Sequence, residues 1–340
     1  MTDDVGIIQH ATFDVPNRST GYCTDDVARA LMVAISASRH EMLRERALRL
    51  GRTYLAFLCD ARLPDGRFHN FMSYGRNWLD TVGTDDSNGR AIWSLGYAAR
   101  HAPLEGWRDI SLDLLERAMP HVANFPFVRS RAYAALGLAH ALEAGVGERA
   151  AIEAMLRTIA SDLVARHAAT AAAGWDWFEN ELTYDNARLP EALLRIGMVL
   201  EDSGFIALGV RTLAFYESIV VEADIFVPVG NDGWYPRGGV RARYGQQPLE
   251  ATALVDAAHA ARAATGDPRY GRLAELGLDW FAGRNSLRTI MATREGGGYD
   301  GLEQCRANGN MGAESTLAYL ATAFAFAPTA ASSDGLRLVR

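Results

Sequence analysis

The chain has 340 residues, 49% of them hydrophobic, and a formal net charge of -7 at pH 7. This length and composition allow a large buried core, as one big domain or two ordinary ones. The net negative charge argues against sequence-independent binding of nucleic acid, because neutralising phosphates requires concentrated Lys and Arg.

Targeting and membrane signals are missing from the sequence. No basic segment followed by an apolar run opens the chain, and no uninterrupted apolar stretch of about 18 residues occurs. The cysteines Cys23, Cys59 and Cys305 have neither the paired spacing of a disulfide framework nor that of a zinc site. We therefore expect a cytoplasmic protein with no membrane partner, no metal and no cofactor.

Apolar periodicity of three and four residues recurs along the chain with almost no strand alternation, which predicts an all-α fold. Inner helices, apolar or small nearly all round, are predicted to start near Asp26, Asp86, Phe127, Asp185, Pro248 and Gly312. Outer helices with one apolar face are predicted at roughly 41–60, 106–122, 147–167, 204–221 and 268–282. No sixth outer helix is found. Residues 1–326 are expected to form one domain and residues 327–340 a disordered tail.

Long connections precede four of the predicted inner helices. They span 62–84, 168–184, 222–247 and 284–311, and they are rich in Gly, aromatic and charged residues. Loops of this length in a compact domain tend to be functional. We expect all four to crowd one face of a ring of helices, where the N-termini of the inner helices also point.

Paired aspartates lie at the N-terminal ends of the first two predicted inner helices. Thr24-Asp25-Asp26-Val27-Ala28-Arg29 is echoed by Thr84-Asp85-Asp86-Ser87-Asn88-Gly89-Arg90, and more loosely by Thr183-Tyr184-Asp185-Asn186-Ala187-Arg188. One aspartate of each pair is explained equally well as a helix cap, but the other must point elsewhere. The repetition indicates that one helical unit is reused around a common centre, where its acids converge.

Two glutamates extend this pattern. Pro248 suits the first turn of a helix, so Glu250 falls in that turn and can face the centre, and Glu314 holds the same place in the sixth unit. An acid favoured by the helix dipole is the plainer explanation for either glutamate alone. Acids from four units at one rim nevertheless predict that Asp26, Asp86, Glu250 and Glu314 are the catalytic carboxylates.

Arginines follow three of the acids one turn later. Arg29, Arg90 and Arg188 lie on the same helical face as those acids and are expected to hold them through bidentate pairs. Such pairing lowers the pKa of a carboxylate. Glu250 and Glu314, which lack an arginine at this spacing, are therefore predicted to be the better proton donors.

Aromatic residues accompany the acids in the long connections. Trp78, Trp175, Trp177 and Trp234 could stack on a ligand with flat C–H faces, although such rings are as often the core of their own loop. The predicted substrate-binding residues are Asp25, Asp85, Arg90, Trp175, Trp177, Glu179, Asp185, Arg188, Trp234, Gln247 and Asn310.

Several longer motifs resemble a known family. These are Gly21-Tyr22-Cys23-Thr24-Asp25-Asp26, Asp85-Asp86-Ser87-Asn88-Gly89-Arg90-Ala91, Leu182-Thr183-Tyr184-Asp185-Asn186-Ala187-Arg188, Gln246-Gln247-Pro248-Leu249-Glu250-Ala251 and Gly312-Ala313-Glu314-Ser315. They resemble the bacterial helical-toroid domain that is often joined behind a glycosyltransferase domain, over residues 1 to about 326. The resemblance implies an (α/α)6 toroid of the six-hairpin glycosidase superfamily, here with an incomplete sixth hairpin, and a place in bacterial glycan metabolism.

Converging carboxylates and aromatic rings together predict a glycoside hydrolase or phosphorylase that acts on an oligosaccharide. The alternative is a non-catalytic glycan-binding module that works with a separate glycosyltransferase. An epimerase or lyase is the least favoured of the three functions. Such an enzyme normally needs a His or Tyr base, and no His lies at the start of a predicted inner helix.

Overall fold

The computed structural model describes residues 1–327, in which inner and outer helices alternate. The inner helices are α1 (Thr24–Ala37), α3 (Asp85–His101), α5 (Val128–Ala144), α7 (Arg188–Val199), α9 (Pro248–Thr265) and α11 (Ala313–Phe326). The outer helices are α2 (Glu41–Ala61), α4 (Glu105–Ala118), α6 (Arg149–Thr170), α8 (Ser203–Val220) and α10 (Arg269–Phe281).

The inner helices form a closed ring. Each one packs on the next in chain order, and α11 packs on α1. Within the described residues no outer helix follows α11, yet the ring closes without one. The predicted all-α class and (α/α)6 toroid are thus confirmed, whereas the predicted tail lies outside the described residues from residue 328 onward.

Two glycines allow the second and third inner helices to approach closely. A Cβ atom added at Gly96 would lie 2.0 Å from the carbonyl oxygen of Gly137, and one added at Gly137 would lie 2.2 Å from that of Ile92. The backbones of α3 and α5 therefore touch, and only glycine fits at these crossing points.

The long connections gather over the N-terminal ends of the inner helices, as expected. They contain short strands: β1 (Ala11–Thr12), β2 (Val15–Pro16), β3 (Tyr22–Cys23), β4 (Phe71–Met72), β5 (Glu181–Leu182), β6 (Val221–Glu222), β7 (Ile225–Phe226) and β8 (Tyr235–Pro236). The antiparallel pair β3–β4 joins the N-terminal segment to the loop before α3, and β5–β8 joins the loops before α7 and α9. We refer to this loop-covered end of the ring as the rim.

One described helix, α8, is long and apolar enough to cross a membrane by length and composition alone. It is an outer helix packed on α7, and its Tyr216 side chain donates a hydrogen bond to Glu250 on α9 at 2.9 Å. Of this helix, 28% is buried inside the protein. The absence of a membrane partner stays a prediction.

Candidate active site

The aspartate pairs stand in the first turns of α1 and α3, and neither pair caps its helix. The cap of α1 is Cys23, whose sulfur accepts a hydrogen bond from the Asp26 N–H at 3.4 Å. The cap of α3 is Thr84, whose hydroxyl accepts from the Ser87 N–H at 3.2 Å. The capping explanation therefore does not apply, and the aspartate side chains are free to reach neighbouring helices.

The guanidinium of Arg29 contacts carboxylates from both ends of the sequence. It donates to Asp26 at 2.9 Å and to Glu314 at 2.8 Å, and it lies 3.3 Å from Asp25. Glu314 was predicted to lack an arginine partner, and the structure corrects this because the partner comes from the adjacent inner helix. Its side chain remains 32% exposed, so it can still meet a ligand.

Arg90 extends the cluster across the ring. It does not pair with the aspartates of its own helix but donates to Asp25 at 2.9 Å and to Asp185 at 3.2 Å, and it lies 3.8 Å from Glu314. Its guanidinium also packs over the ring of Tyr133, whose hydroxyl donates to Asp185 at 2.7 Å. Carboxylates from α1, α11 and the turn before α7 thus form one connected network.

Asp185 lies outside the helix that was predicted to start there. The helix α7 begins at Arg188, and Asp185 has a φ of 50°, in the left-handed region. This turn points its backbone N–H at Glu250, which accepts the hydrogen bond. Aspartate tolerates this backbone conformation better than most residues, which suits the role.

Glu250 is enclosed by protein donors. One oxygen accepts from the Asp185 N–H, and the other accepts from the Tyr216 hydroxyl at 2.9 Å. The residue is 1% exposed. Burial and the nearby charge of Asp185 raise the pKa of Glu250 to about 7, as a proton donor requires. Its carboxyl is buried more deeply than that of Asp26, which is 5% exposed, and it holds the Asp185 turn through the backbone N–H; its catalytic role stays a prediction.

Asp86 is held by hydroxyl groups instead of by an arginine. Its two oxygens accept hydrogen bonds from Ser130 on α5 and from Tyr184 in the turn before α7. Asp85 lies beside it, half-buried, and burial together with the charge of Asp86 raises the pKa of Asp85. Asp86 therefore joins the rim through Tyr184, which precedes Asp185 in the chain.

The third inner helix contributes an arginine that sequence reasoning did not single out. Arg129, in the first turn of α5, donates to Glu179 at 2.8 Å and to Asn186 at 3.3 Å, and it packs over the ring of Tyr184. Glu179 thereby lies at the rim, and its predicted role in substrate binding stays a prediction. The available signal for Arg129 was a charged side chain in the first turn of a predicted inner helix.

Two of the predicted aromatic platforms are buried instead. Trp175 and Trp177 are 3% and 0% exposed, and both pack against Phe215 on α8. They form the core of their own loop, which corrects their predicted substrate-binding role. Trp234 is half-buried, has a φ of 54° and lies 6.4 Å from the Tyr184 ring, so it remains at the rim.

The remaining predicted binding residues lie at different depths. Arg188 stacks over Trp93, donates to Glu191 at 2.6 Å and Asp256 at 2.8 Å, and its Nε lies 3.4 Å from Asp185 Oδ1. Asn310 fastens the N-terminal segment by accepting from the Ala11 N–H at 2.9 Å. Gln247 is half-buried at the cap position of α9.

Adjacent carboxyl groups in this network differ in acidity. Burial raises the pKa of Asp26 to about 6, helped by the charges of Asp25 and Glu314 and opposed by Arg29. Burial also acts on Asp25, but Arg29 and Arg90 outweigh it and lower the pKa of that carboxyl. Sites that use one carboxyl group as acid and another as base usually give the two groups different pKa values.

Among residues 1–327 no group of three or more His, Cys, Asp and Glu side chains is arranged to hold a metal ion.

Comparison with known proteins supports the fold. No family profile and no curated protein matches the chain. A solved sugar epimerase from a ruminal bacterium matches with a TM-score of 0.73 at 11% identity, over 96% of this chain and 93% of that one. A cellobiose 2-epimerase from Bacillus thermoamylovorans has a TM-score of 0.72 at 12% identity, over 96% and 92% of the two chains. A GH76 α-mannanase from Bacteroides thetaiotaomicron has a TM-score of 0.62 at 10% identity, over 89% and 85%.

Identities this low show the fold alone, and the names of these neighbours describe different reactions. The narrower resemblance to the glycosyltransferase-associated domain stays a prediction. The chain has the (α/α)6 toroid fold, shared with enzymes of the six-hairpin glycosidase superfamily.

Proposed function

We propose that this protein is a carbohydrate-active enzyme that cleaves a glycosidic bond of an oligosaccharide, as a hydrolase or a phosphorylase. The observation that carries the proposal is the network at the rim, in which Arg29 and Arg90 hold carboxylates from the first and last inner helices. Within it the pKa of Asp26 is raised to about 6 and the pKa of Asp25 is lowered. Glycosidic cleavage needs a protonated and an ionised carboxyl group, and we assign these roles to Asp26 and to Asp86, which is half-buried at the same rim.

In the proposed reaction Asp26 donates its proton to the glycosidic oxygen as the bond from that oxygen to the anomeric carbon breaks. Asp86, fixed by the Ser130 and Tyr184 hydroxyls, accepts a proton from the water that adds to the anomeric carbon. In a phosphorylase, inorganic phosphate replaces the water. The exposed carboxylate of Glu314 and the ring of Trp234 would contact the sugar beside the broken bond.

The alternative function is a non-catalytic glycan-binding module that serves a separate glycosyltransferase. In such a module the carboxylates at the rim would all be paired with cationic side chains, and their pKa values would be ordinary. The pairing is present, because Asp25, Asp26 and Glu314 all contact Arg29. The opposite shifts in the pKa of Asp25 and Asp26 favour the enzyme.

The test is incubation with gluco- and manno-oligosaccharides of defined linkage, with and without phosphate, followed by chromatographic analysis of the products. We expect free sugar in a hydrolase and sugar 1-phosphate in a phosphorylase. Conversion of one intact disaccharide into another would instead indicate epimerisation, the reaction after which two of the structural neighbours are named. Saturable binding without any product would support the accessory module and contradict the proposal.

A further inference from the structure

The two hydroxyl groups that hold Asp86 differ in their exposure. The hydroxyl of Tyr184 donates to one oxygen of the carboxylate, and the hydroxyl of Ser130 donates to the other. Ser130 is completely buried, whereas Tyr184 is half-buried at the rim. Of these two hydroxyls, that of Tyr184 is therefore the one that can also meet a molecule bound at the rim.

The Tyr184 side chain is held in place by contacts that do not involve Asp86. Arg129 donates through Nε to the carbonyl oxygen of Tyr184, and its guanidinium lies 4.9 Å from the centroid of the Tyr184 ring. Asn186 closes the same turn by accepting from the Thr183 N–H at 3.0 Å and donating to the Thr183 carbonyl oxygen at 2.8 Å. The turn and the arginine thus hold the phenol where its hydroxyl reaches Asp86.

The phenol links the proposed base to the proposed sugar-binding ring. Its hydroxyl contacts Asp86, and its ring lies 6.4 Å from the ring of Trp234, measured between centroids. A phenolic oxygen that donates one hydrogen bond can still accept another. While Tyr184 donates to Asp86, its oxygen can therefore accept a hydrogen bond from a water molecule beside the sugar.

The surroundings of Tyr184 keep its hydroxyl protonated. Burial and the hydrogen bond to Asp86 hold the pKa of Tyr184 above its usual value, although the charges of Arg129 and Arg90 oppose this shift. A phenol that keeps its proton is not a base by itself. It can, however, take up one proton in the same step in which it gives its own to a carboxylate.

We propose that Tyr184 is a further catalytic residue, whose hydroxyl relays a proton from the attacking water to Asp86. This inference rests on the proposed function and applies to hydrolysis. As the water oxygen bonds to the anomeric carbon, one water O–H bond breaks and its proton moves to the phenolic oxygen, while the phenolic proton moves to Asp86. Tyr184 ends neutral and Asp86 protonated, and Asp26 is ionised because its own proton has gone to the leaving oxygen.

The first test is the kcat of Tyr184→Phe, which keeps the ring over Arg129 and removes only the hydroxyl. We expect a loss of about 10²- to 10³-fold in hydrolysis. Because the two groups act in one proton transfer, the double variant with Asp86→Asn should be no slower than Asp86→Asn alone. The control is Tyr235→Phe, which removes a half-buried hydroxyl elsewhere in the rim loops, where Tyr235 packs against Trp175, and it should leave kcat unchanged.

An activated substrate separates the relay from the proton donor. The dinitrophenyl glycoside of the released sugar has a leaving group that needs no protonation, so Asp26→Asn should cleave it within about tenfold of the wild-type rate. Tyr184→Phe should stay slower than the wild type by about 10²-fold on the same substrate, because the water must still lose its proton. Recovery of Tyr184→Phe on this substrate would place the tyrosine on the side of the leaving group and overturn the relay.

The wild type provides a second measurement that does not depend on the folding of a variant. On the dinitrophenyl glycoside the relay moves two protons in one step, so kcat should vary along a curve with the fraction of heavy water, whereas direct transfer to Asp86 gives a straight line. A straight line, hydrolysis as fast in Tyr184→Phe as in the wild type, or losses that multiply in the double variant would each overturn the relay alone. So would sugar 1-phosphate as the sole product. A wild type that forms no product overturns the proposed function and the relay with it.

Discussion

Arg29 donates a hydrogen bond to Glu314 at 2.8 Å, and this contact joins the first inner helix to the last across 285 positions of sequence. The same guanidinium donates to Asp26 at 2.9 Å. One side chain therefore both closes the ring and holds the proposed proton donor. Stability and activity should consequently depend on the same residue.

Replacing Arg29 by Gln should destabilise the protein by about 2 to 4 kcal/mol, because it leaves several poorly solvated carboxylates without a counter-charge. Urea denaturation followed by circular dichroism measures the loss. The control is Arg272→Gln, which breaks an exposed pair with Glu275 on α10 and should cost less than about 1 kcal/mol. Equal losses in the two variants would show that the cluster at the rim does not hold the ring together.

The raised pKa of Asp26 predicts how stability changes with pH. Its folded value of about 6 exceeds the ordinary value of 3.8, so the folded protein binds the proton more tightly than the unfolded chain does. The contribution of Asp26 to stability should therefore fall as the pH rises from 3.8 to about 6. Asp26→Asn removes this fall, which should be on the order of 2 kcal/mol.

The measurement compares the free energy of unfolding at pH 4 and pH 6.5 for the wild type, Asp26→Asn and the exposed control Glu45→Gln. The control should follow the wild type. A wild type and an Asp26→Asn variant with parallel pH profiles would mean that Asp26 is ionised throughout this range. Asp26 could not then be the proton donor.

Glu250 and Asp86 should respond differently to replacement by the amide. Glu250→Gln places an NH2 group where the carboxylate accepted a hydrogen bond, so we expect a stability loss of about 1 to 3 kcal/mol. Turnover in the folded variant should persist. Asp86→Asn should keep stability and sugar affinity but lower kcat by about 10²- to 10⁴-fold.

Thermal unfolding and kcat on the cleaved oligosaccharide separate these two roles. Glu105→Gln, an exposed first-turn acid of the outer helix α4, is the matched control and should change neither quantity. Loss of turnover in Glu250→Gln with full stability would identify Glu250 as the proton donor.

The tryptophans provide a further contrast. Trp177→Ala should cost about 3 to 5 kcal/mol of stability, because the ring is completely buried beside Phe178 and Tyr216. Trp234→Ala should cost far less and should weaken oligosaccharide binding by about tenfold through the loss of a stacking surface. Denaturation and titration calorimetry of both variants check this. A Trp234→Ala variant with unchanged affinity would exclude this ring from the sugar site.

The period of the apolar residues was enough to predict the helices, and the resemblance to a known family implied their arrangement in a ring. The positions of Asp25, Asp26 and Asp86 in first turns followed from the repeated motif. The pairing of acids with arginines could not be predicted in this way. Arg90 bonds to Asp25 of the preceding inner helix, and Arg29 bonds to Glu314 of the last one. Such partners depend on how neighbouring helices are rotated, which spacing within one helix does not reveal.

Two further differences between the predictions and the structure have local causes. Asp185 was expected to open a helix, but its left-handed backbone delays the start of α7 to Arg188. Trp175 and Trp177 were expected to face a ligand, but α8 supplies Phe215 as a partner for both rings. Composition alone does not distinguish an aromatic loop that covers a helix from one that faces an open site.

The contact between α1 and α11 also bears on how the protein folds. Asp26 lies in the first inner helix and Glu314 in the last, so nearly the whole polypeptide must be synthesised before the two can meet. Contacts between residues so distant in sequence form slowly, because closing a long loop costs entropy before the contact stabilises it. The rim therefore cannot be complete until α11, which carries Glu314, has been synthesised.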